Sequence, residues 1–198
     1  MALNKSKKTT RQLQAEQTKL LIFDAAMRLL ERQDFESITV RDIVREANVS
    51  IGSFYNSYPS KMDVFYETYQ VADDFFENVV RPKLIQATVC ERLTCFFEEY
   101  ATYNSDVSIF ALTRVLYNPN NKHFHRKSTH GMLPILTELM KQAKDSGEFH
   151  TQQSAEELSR FFMICMRGLV YDWCTQEGSY DLKAQILAYL EHLLRAFI

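Results

Sequence analysis

Apolar side chains recur at three- and four-residue spacing along most of the chain. Leu20, Ile22, Phe23, Ala25, Ala26, Leu29 and Leu30 make one stripe, which predicts a helix from Glu16 to about Gln33. The polar, basic residues 1–15 ahead of it are expected to lack fixed structure. Phe35 and Ile38 follow and should tuck into the same small core. Thr39-x-x-Asp42 has the form of a capping box and opens a second helix, with Ile43, Val44 and Ala47 turned inward. Asn48 ends it, since asparagine tolerates the left-handed conformation of a tight corner. Ser50 caps a third, very short helix that ends between Tyr55 and Ser57, and Pro59 breaks the chain. Ser60-x-x-Asp63 then opens a long helix with Phe65, Tyr69, Ala72, Phe76 and Val79 on one face.

Further helices are predicted at about 83–103, 106–117, 127–146, 153–176 and 181–197. They are separated by breaks at Asn118-Pro119-Asn120-Asn121, Ser146-Gly147 and Glu177-Gly178-Ser179. No segment alternates with a strand period. Five Gly and four Pro among 198 residues are too few for a turn-rich sheet protein. The expected fold is all-α with about nine helices. A small three-helix unit spans 1–60 and a larger helical unit spans 61–198, divided near Pro59–Lys61.

At 46% hydrophobic and 24% charged residues the chain has an ordinary globular composition, and its net charge of −2 does not advertise a polyanionic partner. The distribution is less even. Residues 1–62 hold ten Lys/Arg against seven Asp/Glu, a net of +3, and the remainder carries −5. A basic end on an acidic body fits phosphate contact at that end. Cys90, Cys95, Cys165 and Cys174 show neither a CxxC pair nor metal-ligand spacing, and read as reduced thiols of a cytoplasmic protein. No secretory leader is expected, because the first apolar run begins at Leu20 and is broken by Asp24 and Arg28. No stretch has the length of a membrane span.

The stretch Thr39-Val40-Arg41-Asp42-Ile43, with Ala47-Asn48-Val49-Ser50-Ile51-Gly52-Ser53-Phe54-Tyr55, Tyr58 and Ser60-Lys61, resembles the TetR/AcrR family of transcriptional regulators. The resemblance covers about residues 18–66. Asn48 replaces the family's usual turn glycine, and Phe54 its leucine. It implies a helix–turn–helix DNA-binding domain whose third helix enters the major groove. Ile51, Gly52, Ser53 and Asn56 would face base edges, with Ser53 and Asn56 hydrogen-bonding and Ile51 meeting a thymine methyl. Arg41 would reach a guanine or a phosphate. Tyr55 and Tyr58 would offer hydroxyls to phosphate or sugar. Ser50, Thr39 and Lys61 lie at helix N-termini, where an anion is favoured. Lys5, Lys7, Lys8 and Arg11 would add backbone or minor-groove contacts from a flexible arm.

The body is rich in aromatic and sulfur-bearing residues, most of which a packed core accounts for. Phe65, Tyr69, Phe96, Tyr100, Phe110 and Tyr171 are candidates to surround an apolar effector pocket with polar tips, with Arg114 and Arg167 set to meet an acidic group. The helices at about 153–176 and 181–197 carry more apolar surface than one pair can hide, so a partner is expected there. In the resembled family such helices form a two-fold four-helix bundle, and Gly168 would permit close approach. A homodimer would set two readers one DNA turn apart, roughly 34–36 Å, on a palindromic operator. The resemblance also implies repression relieved by a small molecule. No cofactor is expected. A metal-dependent enzyme is the rival class, on His123-x-His125 and His130, but no supporting ligand stands at helical spacing. A helical interaction module without DNA function is the other.

Overall fold

The computed structural model describes residues 9–105 and 129–198. It holds eight α-helices among the described residues and no strand among them. The helix predicted at 106–117 lies outside the described residues. Packing divides the chain into Met1–Thr68 and Tyr69–Ile198, a division that falls inside the long helix after Lys61.

In the first unit α1 spans Thr10–Leu30 and starts well before Glu16. Thr9 Oγ1 accepts the Gln12 N–H, and the Gln12 side chain accepts the Thr9 N–H at 2.8 Å. This reciprocal cap satisfies two end donors, so residues 10–15 are helical where composition predicted no fixed structure. α2 (Val40–Ala47) begins on the predicted capping box, with the Asp42 N–H on Thr39 Oγ1 at 3.2 Å and the Thr39 N–H on Asp42 Oδ2 at 3.0 Å. Asn48 closes it at φ 53°, ψ 47°, the left-handed corner expected of it. α3 (Ile51–Ser57) starts where Ser50 Oγ accepts the Ser53 N–H at 3.0 Å. α4 (Lys61–Phe75) follows and passes through the division between the units. Ile22, Ala26, Ile38, Ile43, Phe54 and Val64 are fully buried in this first unit.

In the second unit the chain continues from α4 through a widened π turn (Phe76–Val80) and a tight 3₁₀ turn (Arg81–Lys83) containing Pro82. The remaining helices are α5 (Val89–Ser105), α6 (Met132–Asp145), α7 (Ala155–Thr175) and α8 (Leu182–Arg195). Their inward stripes share one core. Phe96 meets Phe97 edge-on at 5.1 Å, and Phe97 stacks on Phe162 at 6.3 Å. α5 starts at Val89 instead of residue 83 because its first donors are met from far along the chain. The Glu148 carboxylate accepts the Val89 N–H at 2.8 Å and the Cys90 N–H at 3.0 Å.

Burial pushes the Glu148 carboxyl up, but these two N–H donors and the Ser146 hydroxyl together outweigh it and hold the group below its usual range. A carboxyl depressed by folding stabilises the native state above its unfolded pKa, and that gain is lost as pH falls through the folded value. Glu148→Gln keeps the shape and removes the charge. We expect it to cost about 1–2 kcal/mol in urea unfolding at neutral pH. The deficit should shrink on acidification, as the wild-type carboxyl is protonated.

Candidate nucleic-acid interface

The corner at Asn48 sets α3 against α2 so that one side of α3 is buried and the other is open. Phe54 is the buried anchor, and it meets the Tyr55 ring edge-on at 5.3 Å. Ile51, Gly52, Tyr55 and Asn56 are exposed, at the i, i+1, i+4, i+5 spacing of one helix face. Ser53 is half-buried, and its hydroxyl lies 2.9 Å from Ser50 Oγ. Gly52 is not required by the fold: a Cβ there would meet only Ser50 Oγ, at an ordinary 3.7 Å. Its bareness leaves the helix backbone open to approach from outside.

Arg41 is exposed on the first turn of α2. Arg45 is exposed and pairs with Asp42 at 2.7 Å, while Arg28 lies 3.1 Å from Glu46. Thr39 is exposed, but its hydroxyl donates to the Asp42 carboxylate, which hydrogen bonds from the Thr39 side chain and backbone hold below its usual pKa. Arg11 is exposed in the first turn of α1; Lys5, Lys7 and Lys8 lie outside the described residues.

Two residues assigned to phosphate contact face the other way. Tyr58 is only 2% exposed, and its hydroxyl donates to the Lys19 carbonyl at 3.3 Å. Burial drives its phenol pKa upward. Its ring packs beside Phe54, and the Lys19 ammonium, itself 2.7 Å from Glu67, lies over it at 5.4 Å. Tyr58 is therefore a core residue and offers no hydroxyl to a phosphate. Lys61 also turns inward, donating to the Phe35 and Ile38 carbonyls at 2.8 Å each.

Of the described candidate effector residues, Phe65 belongs to the first unit and Tyr69, Phe96, Tyr100, Arg167 and Tyr171 to the second. Phe65 is fully buried in the first unit, edge-on to Phe35 at 5.2 Å. Phe96 and Tyr100 are buried in the core of the second. Tyr171 is 52% exposed on α7, and Tyr69 and Arg167 are half-buried on α4 and α7. Phe110 and Arg114 lie outside the described residues. His123 and His125 also lie outside the described residues, while His130 meets Gln70 at 2.9 Å and Asp74 at 3.3 Å. Among the described residues no three His, Cys, Asp or Glu side chains converge as a metal site, and no helix is long and apolar enough to cross a membrane.

Helix–turn–helix proteins that read DNA are built on such a corner, with the second short helix offered to the groove, and the first unit falls in that class. Residues 22–68 match the family model of bacterial regulatory proteins, tetR family, so this segment is a helix–turn–helix domain of the tetR type. Solved structures share the fold over nearly the whole chain. The fatty acid degradation regulator FadR from Bacillus halodurans is 21% identical, with 96% of each chain covered and a TM-score of 0.70. FadR from Bacillus subtilis, solved with stearoyl-CoA, is 20% identical, with 88% of this chain and 97% of that one covered and a TM-score of 0.73. Thermus thermophilus FadR, a TetR-family repressor solved with lauroyl-CoA, is 23% identical, with 89% and 92% covered and a TM-score of 0.67. Comparison with curated proteins gives no match.

Proposed function

We propose that the protein is a repressor that binds a palindromic operator as a homodimer and is released by a small, largely apolar effector. The observation that carries the DNA reading is the open face of α3, where Ile51, Gly52, Tyr55 and Asn56 stand outward on a capped helix anchored by Phe54. Arg41 and the basic arm supply phosphate contacts. The dimer reading rests on α7, where Phe161, Ile164, Gly168 and Tyr171 recur at helical spacing and are all exposed. The two FadR complexes with acyl-CoA support an effector with a long apolar chain. Such a ligand releases DNA only by binding the DNA-incompetent state more tightly. α4, continuous from Lys61 to Phe75, is the element through which both units are joined. The reading assigns the protein no catalytic role and places it in the cytoplasm.

Gel retardation on DNA from the protein's own upstream region tests this. Retention should fall steeply as salt rises, because phosphate contacts release counterions. Lauroyl-CoA should abolish it at fixed salt. Retention that ignores salt would overturn the DNA reading, and retention that ignores lauroyl-CoA would overturn the effector class. Gly52→Ala separates binding from folding. The added methyl fits inside the protein and gains up to about 1 kcal/mol of helix propensity. Unfolding should shift slightly toward greater stability, while DNA affinity falls about tenfold through lost base-edge contact.

A further inference from the structure

We propose that Lys61 is a positioning residue of the DNA reader, tying the connector that precedes α2 to the first turn of α4, and that it is not a phosphate ligand. The proposal rests on the DNA-binding reading above for its functional consequence, and on local geometry for the tie itself. An ammonium has three N–H donors and no acceptor. Two of those of Lys61 are directed to the Phe35 and Ile38 carbonyls at 2.8 Å each, and the nitrogen lies 4.0 Å from the centroid of the Phe35 ring. That ring face is a favourable seat for a cation. Phe35 also meets Phe65 edge-on at 5.2 Å. Lys61 and Phe65 are four apart on α4, so neighbouring positions of one helix face grip the same aromatic side chain. Ile38 is fully buried and leads directly into Thr39, the cap of α2. A rotation or slide of the first turn of α4 therefore pulls on the start of α2. Burial lowers the pKa of the Lys61 ammonium, the direction expected of a group withdrawn from water.

The test uses Lys61→Met, which keeps the stem and loses charge and donors, and Lys61→Arg, which keeps both. DNA affinity is measured for the full-length protein across a salt series, and amide hydrogen exchange is measured on the free protein. Lys61→Met should bind about tenfold more weakly with the wild-type slope of log affinity against log salt, and Lys61→Arg should recover most of the loss. Exchange at Ser37 and Ile38, whose amides bond to Asp34 and Phe35, should quicken in Lys61→Met and stay slow in Lys61→Arg. A direct phosphate ligand gives the opposite pattern: the salt slope drops by about one charge and exchange is unchanged. That result would overturn the proposal. If the wild-type protein itself shows no salt-dependent retention, the DNA reading fails, and the exchange arm alone decides whether the tie exists.

Discussion

Gly131→Ala should destabilise the helical body by about 3–5 kcal/mol in urea or thermal unfolding followed by circular dichroism. Gly131 precedes α6 at φ 85°, ψ −148°, a conformation that side-chain-bearing residues rarely adopt. Such backbone costs about 1–3 kcal/mol on its own. The space is also taken. A Cβ there would lie 2.5 Å from Asp73 Cβ and 2.6 Å from Asp73 Cα, so backbone must move and not merely a side chain. That movement acts on a set of polar contacts around the start of α6. The Gly131 N–H donates to Glu77 Oε2 at 3.0 Å, and the Met132 N–H to Asp73 Oδ1 at 3.4 Å. Arg81 bridges Glu77 at 2.8 Å and Glu138 at 2.6 Å. Losing bonds of this kind costs on the order of 1 kcal/mol each. Gly147 supplies the control: at φ 77° it has nothing within 4 Å of an added Cβ. Gly147→Ala should cost only about 1–2 kcal/mol, the backbone penalty alone. Equal losses in the two variants would mean that Asp73 does not approach Gly131 as described.

Features decided within a few residues were legible in the sequence. The Thr39-x-x-Asp42 cap, the left-handed Asn48 and the Ser50 cap all depend on neighbours three or four positions away, and each forms as expected. The start of α1 was equally local, in Thr9-x-x-Gln12, but the weight given to charge composition hid it. Features decided by distant partners were not legible. The start of α5 is set by Glu148, 59 residues along the chain from Val89. Tyr58 has an apolar ring and a polar tip, and the sequence alone does not tell which way the tip points. The Lys19 carbonyl, 39 residues away, settles it. Lys61 is the same case, its partners lying 23 and 26 residues upstream. Aromatic residues at helical spacing serve core and pocket alike, so the burial of Phe65 and Phe96 was legible in the spacing while a pocket role was not.

On the homodimer proposed above, Ile164→Glu should convert dimer to monomer and lower operator affinity by at least about 100-fold. Ile164 is 57% exposed in the single chain, so its side chain contributes little to the monomer's own core. It stands in a stripe with Phe161, three residues before it, Gly168, four after, and Tyr171, seven after, all on one face of α7. At Gly168 an added Cβ would meet nothing within 4 Å, which leaves room for another helix to come close. A carboxylate placed in the middle of a two-fold contact faces its own copy. It must also lose water on association, a cost of several kcal/mol without a partner charge. DNA affinity then falls because the second half-site no longer binds as an intramolecular event, and the lost avidity is commonly 10²–10⁴-fold. Sedimentation should show the monomer, gel retardation the weakened binding, and the thermal midpoint measured at low protein concentration should change little. A variant that still sediments as a dimer and retains DNA like the wild type would show that this face of α7 is not where two copies meet.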